Sequence, residues 1–280
     1  MIQVHAGITR FVANADLSKL HHGYPPGGPQ DRISHAMANR LLSNPVSAGA
    51  IEITLTTAKL TLQRDCLLVV GGAASKITID GVAHRVWQVL RGCAGSKLRI
   101  EIDPSGCRAY VCVAGGLAQD PKDSNHCFAV GDPMAGELGR CLTPELLNPP
   151  WAPPPGTVRA IGGPEFADSV KPELAQTWIV SPQSSGMGLR LTGKPLPLPT
   201  FDIVSSPVQD GTIQATATGL IALLRQRGTL GGYPRVATVI DCDVDRLAQL
   251  RPGKPLRINL IDHEQAAELC RRQQTAIRGL

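Results

Sequence analysis

Short apolar runs separated by turn residues make up most of the chain. In Lys76–Ile79 and Lys97–Ile102, polar residues alternate with aliphatic ones, which is typical of a strand with one buried face. The further strand candidates are Ile51–Leu55, Lys59–Gln63, Cys66–Val70, Arg108–Val113, Val158–Ile161, Thr177–Val180, Leu189–Leu191, Phe201–Val204, Thr212–Ala215, Ile221–Leu224, Ala237–Ile240 and Leu256–Leu260. Many short strands at roughly ten-residue spacing predict β-barrels or sandwiches.

One early segment has helical spacing instead. Ile33, Met37 and Leu41 lie four residues apart, so they share one face of a helix over about residues 32–42. Asp31 stands where the N-cap of that helix belongs, because its carboxylate can accept the exposed N–H groups of the first turn.

A second helix is predicted near the end of the sequence, over about residues 263–276. Asp262 and Gln265 have the spacing of a capping box at its start. Longer helices are disfavoured, because 29 glycines and 23 prolines exceed the usual combined share of ~12% and break helices. Since 42% of the residues are hydrophobic, the chain can still bury a core. The predicted fold is mainly β with a few short helices.

A proline-rich stretch divides the sequence almost in half. Residues 148–156 contain five prolines and cannot form a helix or a central strand. We expect an extended linker here. It separates an N-terminal β domain, residues 1–150, from a C-terminal β domain, residues 156–280.

Charge and cysteine usage exclude several classes of protein. The net charge of +5 is spread along the chain, without the basic stripe and interleaved aromatics of a nucleic-acid-binding protein. No apolar run approaches the ~20 residues of a membrane span, and the N-terminus lacks the pattern of a secretory leader. The eight cysteines form no Cys-x-x-Cys pair and the histidines have no metal-binding spacing. We therefore expect no metal site, and buried thiols in a cytoplasmic protein.

One segment comes close to a nucleotide-binding motif. Gly188–Pro195 nearly matches the phosphate-binding loop, but Pro195 replaces the Ser or Thr whose hydroxyl would hold Mg²⁺. Leu189–Leu191 also has the pattern of a strand. A strand followed by a turn is predicted rather than a phosphate cradle.

Two compact turns contain polar residues that could contact a ligand. The first, Gly23–Asp31, presents Gln30 and Asp31 at the start of the predicted helix, where exposed N–H groups favour an anionic ligand. The second, Thr229–Pro234, contains Tyr233. Ordinary turn chemistry explains both segments equally well.

The two turns belong to a longer series of segments along nearly the whole chain. In order these are PGGPQD (26–31), ANRLL (38–42), IEITL (51–55), RAYVCVAGG (108–116), GRCL (139–142), GGPE (162–165), MGLRLTG (187–193), GTIQ (211–214), GGYP (231–234) and LAQLRPG (247–253). Together they resemble the biotin-dependent carboxyltransferase A/B-subdomain family. Its members include the C subunit of 5-oxoprolinase, allophanate hydrolase subunit 2 and the Kip antagonist.

The resemblance implies both a fold and an activity. It implies two cyclophilin-like β-barrel domains, and one component of an ATP-dependent complex of the 5-oxoprolinase or allophanate-hydrolase type. Such a complex acts on a small cyclic amide or a urea-like substrate. The implied partners are a Kip-inhibitor-like protein (the B component) and, in 5-oxoprolinase, a third protein (the A component), with ATP used at the level of the complex.

Two alternatives stay open within the same family. The chain is then either a non-catalytic regulatory or binding subunit, or a component of a biotin-dependent carboxyltransferase. The second alternative needs a biotinylated carrier supplied by another chain.

The polar and glycine residues of the matching turns are the candidate site residues. We expect Gln30, Asp31 and Arg190 to be catalytic, with Arg190 holding a substrate carboxylate and Asp31 acting as a general base or orienting group. The predicted substrate-binding residues are Gln214, Tyr233, Gly232 and Gly28.

The sequence departs from the family pattern at several places, namely residues 13–18, 123–126, 186, 219–221 and 226. Gly186 stands in Ser184–Gly188 where the family has an arginine, and Gln226 stands where it has an aspartate. A glycine at position 186 removes the charge and the two-pronged geometry with which an arginine clamps a carboxylate.

Overall fold

The computed structural model describes residues 1–142, 149–167 and 170–278. These residues form two compact units. The first contains the described residues of Met1–Asn14, Asp31–Pro150 and the chain from Ala276 onward, and the second contains Ala15–Gln30 and Trp151–Thr275. Asn148, the first residue of the predicted linker, lies outside the described residues; from Pro149 to Gly156 the linker contains no helix or strand.

The first unit is built on ten strands. They are β1 (Ile2–Val12), β2 (Ala50–Leu62), β3 (Cys66–Gly72), β4 (Ala74–Ile79), β5 (Val82–His84), β6 (Leu90–Gly92), β7 (Lys97–Ile102), β8 (Arg108–Val113), β9 (Leu117–Gln119) and β10 (His126–Ala129). The main path of the sheet runs β5-β4-β7-β2-β1-β10-β9, and a branch runs from β2 through β8 and β3 to β6.

Strand β2 joins the two parts of this sheet. Its first half pairs with β8 and its second half with β7. Between them Leu55 has a left-handed backbone with φ 59°, which turns the strand where it changes partner. The sequence predicted two separate strands here, whereas the structure has one continuous strand of 13 residues.

A single helix, α1 (Arg32–Leu41), packs against β3 and β8. Asp31 is its N-cap, as predicted, and accepts a hydrogen bond from the backbone N–H of Ser34 at 2.9 Å. The helix explains why β8 shows no alternation: Tyr110 and Cys112 pack on the helix side, while Val111 and Val113 pack in the other core of the unit. Both faces of β8 are covered, so all of its residues are buried.

The second unit contains a closed seven-stranded barrel in the order β11-β18-β15-β16-β13-β12-β19. Its strands are β11 (Thr157–Gly162), β12 (Thr177–Val180), β13 (Gly188–Thr192), β15 (Thr212–Thr216), β16 (Gly219–Leu223), β18 (Arg235–Val239) and β19 (Pro255–Leu260). A two-stranded sheet, β14 (Ser206–Pro207) with β17 (Leu230–Gly231), lies off the barrel. The pair β11–β19 is parallel and closes the barrel.

Within the described residues, three helices follow α1. They are α2 (Lys171–Leu174), α3 (Asp241–Ala248) and α4 (His263–Arg278), and Leu20–His22 forms a 3₁₀ turn. Helix α4 begins where predicted, with Asp262 accepting the N–H of Gln265 at 2.8 Å. Strand β1 and helix α3 have no counterpart among the predicted elements. The predicted strand at Phe201–Val204 is wrong, because that segment has irregular backbone.

The mainly β fold with few short helices is confirmed, and so is a barrel in the second half of the chain. Residues 15–30 belong to the second unit, whereas the predicted division placed all of 1–150 in the N-terminal domain. Among the described residues, no helix combines the length and apolar character that crossing a membrane requires.

Candidate functional site

A fully buried arginine, Arg225, forms the centre of a charged cluster in the second unit. Its side chain has no exposed surface. One terminal nitrogen, Nη1, lies 3.0 Å from Asp210 Oδ2, and the other, Nη2, lies 3.0 Å from Asp245 Oδ1. A buried guanidinium is tolerated only when its donors are satisfied, and these two carboxylates satisfy both ends of the fork.

Gln30 closes the third side of this arginine. Its backbone oxygen accepts a hydrogen bond from Arg225 Nε at 3.1 Å, and its side-chain Oε1 accepts the backbone N–H of Arg225 at 3.1 Å. The amide nitrogen of Gln30 donates to the carbonyl of Gly186 at 2.8 Å. These bonds hold the turn before residue 31 within the second unit. The structure therefore brings two positions noted in the sequence, Gln30 and Gly186, into direct contact.

The space beside Gly186 is already occupied. A Cβ atom at this position would collide with the side-chain oxygen of Gln226 and would lie 3.5 Å from Gln30 Nε2. Two of the departures from the family pattern, Gly186 and Gln226, are thus neighbours, and the glutamine amide fills the room that a side chain at 186 would need.

Burial alone would lower the pKa of the Arg225 guanidinium. The carboxylates of Asp245, Asp241 and Asp210 more than compensate, so the pKa lies above its ordinary value. The arginine is therefore charged at neutral pH.

A cleft of about 400 Å³ opens beside this cluster in the second unit. Its charged lining residues are Asp210, Arg227 and Asp241. Arg227 Nε lies 2.9 Å from Asp210 Oδ1, so Asp210 bridges two arginines. Asp241 begins α3, lies 3.8 Å from Arg225 Nη1 and has a side chain that is 63% exposed.

The rest of the lining is mixed. It comes from β11, β18, α4 and nearby residues, and it comprises Ile161, Gln209, Thr238, Val239, Ile240, Ala266, Ala267 and Cys270. A concave site of this size with apolar residues and a few polar groups is typical of small-molecule binding.

Asp31 lies elsewhere, in the first unit. Both oxygens of its carboxylate accept hydrogen bonds from Ser34, the backbone N–H at 2.9 Å and the hydroxyl at 2.6 Å. Its own N–H donates to the Tyr110 hydroxyl at 2.8 Å, and that hydroxyl donates to Glu52 at 2.8 Å. Burial, followed by the charges of Glu52 and Asp31, raises the pKa of Tyr110, so the phenol stays protonated. The structure shows Asp31 as a helix cap, and its catalytic role stays a prediction.

Arg190 is placed on the outer face of the barrel. Strand β13 alternates, with Leu189 and Leu191 in the core and Arg190 exposed. Among the described residues, its guanidinium has no ion-pair partner. It is not part of the Arg225 cluster, and its role in holding a substrate carboxylate stays a prediction.

The remaining predicted residues lie near the β14–β17 sheet or in the first turn. Gln214 is buried, and its amide nitrogen lies 3.4 Å from the carbonyl of Tyr233, whose ring is 41% exposed. The carbonyl of Gly232 accepts the N–H of Ile203 at 2.9 Å. Gly28 has φ 81°, and a side chain there would press on the backbone of Ala15. Their role in binding substrate stays a prediction.

Sequence reasoning missed the members of the charged cluster. Arg225 and Arg227 follow β16 as the motif Arg-Gln-Arg, and Asp241, Asp243 and Asp245 alternate along α3. Alternating acids at the start of a helix, beside a pair of arginines that ends a strand, are a signal that could have drawn attention to them.

Neither a metal centre nor a disulfide is present in the described part of the chain. No group of three or more potential metal-ligating residues comes together there. All eight cysteines lie within it and none is joined to another. Five of them are buried, but the expectation of buried thiols is wrong for Cys93 and Cys141, which are exposed, and for Cys270, which is half-buried. The segment that resembles a phosphate-binding loop is strand β13, as predicted, so it does not form a nucleotide cradle.

Comparison with known proteins places this architecture in a family. The model of the carboxyltransferase domain, subdomain A and B, matches residues 22–145 and 122–260. The C subunit of 5-oxoprolinase from Haemophilus influenzae is 28% identical over 267 residues, which cover 88% of this chain and 86% of that protein. Urea amidolyase of Lachancea kluyveri is 27% identical over 92% of this chain, which corresponds to only 16% of that protein.

The fold is also found in a solved structure. The crystal structure of Kluyveromyces lactis urea amidolyase matches 99% of this chain and 20% of its own, with a TM-score of 0.85 and 21% identity. At this identity the likeness establishes the fold alone. Because the family model spans both halves of the sequence, the chain belongs to the carboxyltransferase subdomain A and B family.

Proposed function

We propose that the chain is one component of an ATP-dependent amidohydrolase complex of the 5-oxoprolinase type. The observation that carries this proposal is the reciprocal coverage with the C subunit of 5-oxoprolinase, which matches over 88% of this chain and 86% of its own length. The urea amidolyases align with almost the whole chain as well, but as 16% of a much longer protein.

In this proposal the chain works with partners. The 5-oxoprolinase relatives are themselves subunits by name, which supports an assembly. We propose a Kip-inhibitor-like protein and an A-type 5-oxoprolinase protein as the other components, and a small cyclic amide such as 5-oxoproline as the substrate. Because β13 forms no nucleotide cradle, we assign ATP to the complex and derive no step through it on this chain.

Three of the candidate residues are assigned different roles. Arg190 is the one cation among them that is exposed on the barrel face, so it is assigned to a substrate carboxylate. Asp31, whose carboxylate accepts two hydrogen bonds from Ser34, is assigned to orienting or deprotonating a substrate group. Gln30 holds the turn that precedes Asp31 by its bonds to Arg225 and Gly186.

The test is reconstitution of the complex. The chain is co-expressed with the Kip-inhibitor-like and A-type proteins of the same genome, and ATP-dependent release of glutamate from 5-oxoproline is measured. We expect release only when all chains are present. A stable complex without turnover would contradict the proposal and favour the non-catalytic alternative.

Two variants of Asp31 separate chemistry from folding. Asp31→Ser keeps an oxygen that can cap α1, whereas Asp31→Ala loses both the cap and the carboxylate. If Asp31 is a general base, both variants lose turnover by about 10²-fold or more, and only Asp31→Ala also destabilises α1. Turnover by Asp31→Ser at the wild-type rate would limit Asp31 to its structural role.

A second function has a specific observation in its favour. The matching family model describes a carboxyltransferase domain, and the urea amidolyases align over 92% of this chain. The same reconstituted complex, given a carboxylated biotin carrier and urea, would then transfer the carboxyl group. Transfer in this assay, without glutamate release from 5-oxoproline, would favour the carboxyltransferase.

A further inference from the structure

Two cysteines of the second unit come together where α4 meets the start of α3. Cys242 is the second residue of α3, and Cys270 lies in the middle of α4. The side-chain amide of Gln273, which follows Cys270 by almost one helical turn, donates to the carbonyl of Cys242 at 3.2 Å. Residues three apart lie on the same side of a helix, so this bond places Cys270 on the side of α4 that faces α3.

Two further observations place the thiols next to each other. Ile240 and Asp241, the two residues before Cys242, line the same cleft as Cys270. Burial raises the pKa of the Cys242 thiol, the charge of Asp243 raises it further, and the thiol of Cys270 adds to the rise. Because the interaction of two charges weakens with distance, this effect of one thiol on the other indicates that their side chains adjoin. No bond joins them in this structure.

The two thiols differ in exposure. Cys270 is half-buried and lines the cleft, whereas only 3% of Cys242 is exposed. A solute can therefore reach the sulfur of Cys270 before that of Cys242. The guanidinium of Arg159, which lies 2.7 Å from Asp243, interacts with both thiols. A nearby cation stabilises a thiolate, which is the reactive form of a cysteine.

A pair of cysteines in the first unit serves as a comparison. Cys66 is fully buried in β3, and Cys93, which follows β6, is exposed. Cys66 lies opposite Gly92 in the pairing of β3 with β6. Since successive side chains of an extended chain point to opposite faces, Cys93 is directed away from Cys66. These two thiols are therefore close in the fold but poorly placed for a bond.

We propose that Cys242 and Cys270 are a redox site whose reversible disulfide ties α4 to α3. The oxidant is a low-molecular-weight disulfide such as oxidised glutathione. The Cys270 thiolate attacks one sulfur of the oxidant, which forms a mixed disulfide and releases the other half as a thiol. The sulfur of Cys242, having lost its proton, then attacks the Cys270 sulfur and releases the second half as a thiol. The two protein thiols lose two electrons and two protons in total, and the oxidant gains both.

The disulfide would restrain a helix that is weakly held. Over its described length, α4 has no buried residue, and segments with few buried contacts open most readily. Ala266, Ala267 and Cys270 are the residues of α4 that line the cleft. Tying Cys270 to α3 therefore fixes this part of the cleft wall. The proposal does not depend on the reaction proposed for the complex.

The test uses the full chain with both exposed cysteines replaced, Cys93→Ser and Cys141→Ser, so that the pair and the buried thiols of the first unit remain. The protein is incubated with mixtures of reduced and oxidised glutathione, free thiols are alkylated, and the peptides are analysed by mass spectrometry. Because the raised pKa of Cys242 slows its attack, incubation continues until the linked fraction is constant. We expect one intramolecular link, between the peptides of Cys242 and Cys270, which excess reduced glutathione reverses.

Single variants and hydrogen exchange assign the effect to the pair. In the oxidised protein the amides of α4 should exchange at least about tenfold more slowly than in the reduced protein. Cys242→Ser should retain a glutathione adduct on Cys270 without slower exchange, because the adduct cannot be resolved. Cys270→Ser should carry neither the adduct nor the link, which shows that Cys242 is reached only through Cys270.

Three results would overturn the proposal. They are the absence of a link at every ratio of the two glutathione forms, a link that joins buried cysteines of the first unit instead, and a Cys242–Cys270 link that leaves the exchange of α4 unchanged. None of these results bears on turnover by the reconstituted complex, so the failure of this proposal and the failure of the proposed function can be told apart.

Discussion

Replacing Arg225 by methionine tests how much the buried cluster stabilises the second unit. The substitution keeps a long side chain but removes the guanidinium. Asp245 and Asp210, whose side chains are 6% and 15% exposed, then lose the cation that lies 3.0 Å from each. Removing one partner of a buried ion pair costs about 3–5 kcal/mol, because a buried charge loses compensation. Asp210 keeps Arg227 Nε at 2.9 Å.

The contacts set the size of the effect. The variant also lacks the hydrogen bond from Arg225 Nε to the carbonyl of Gln30. Because this bond belongs to the same network as the ion pairs, its loss is part of the same cost and is not counted separately. Asp241 contributes little to stability, since it is 63% exposed and 3.8 Å away. We therefore expect Arg225→Met to lower the free energy of unfolding of the second unit by about 4 kcal/mol.

Hydrogen exchange followed by mass spectrometry resolves the effect by region. About 4 kcal/mol corresponds to exchange that is roughly a thousandfold faster at the slowest amides of the barrel strands. Peptides of the first unit, such as those from β2 and β8, serve as an internal control. Arg225→Lys keeps the positive charge but lacks the forked guanidinium, so its exchange rate should lie between those of wild type and Arg225→Met. An exchange rate in Arg225→Met within about threefold of wild type would refute the reasoning.

Two further predictions concern other parts of the fold. Burial lowers the pKa of His35 to about 4, so on acidification the unfolded chain binds a proton at this imidazole before the folded chain does. The free energy of unfolding of the first unit should therefore fall by up to about 3 kcal/mol from about pH 6.5 to about pH 4. A pH slope of the same size in His35→Gln would contradict this. Gly163→Ala should cost about 1–3 kcal/mol, since its Cβ would collide with the backbone carbonyl of Arg235. Gly228→Ala is the control, because a Cβ at position 228 would make only ordinary van der Waals contact. Both variants are compared by thermal unfolding, and equal melting temperatures for the two would contradict the prediction.

The sequence predicted the elements whose signals are local. Helix α1 follows from apolar residues four apart and an N-cap at Asp31, and both are decided within a dozen residues. Strand β7, with its alternating pattern, occupies the predicted residues 97–102. Strand β1 was missed because its central residues are exposed without alternation, so no buried face is visible in its sequence.

The candidate site was less accessible to sequence reasoning. Gln30 was singled out, but its partner Arg225 lies 195 residues further along the chain. No local pattern links a turn residue to an arginine at that separation, since their contact depends on closure of the barrel. Gly186 and Gln226 could be noted as separate departures from a family pattern, but their contact is visible only in three dimensions.

Closure of the barrel by the parallel pair β11–β19 has a consequence for how the protein is made. The second unit uses residues 15–30 from one end of the sequence and β19, Pro255–Leu260, from near the other. During synthesis, β11 and β12 wait with one unpaired edge each until β19 leaves the ribosome. The nascent chain therefore exposes two strand edges until β19 has been translated, and a chain that stops before residue 255 would keep them exposed and be prone to aggregate.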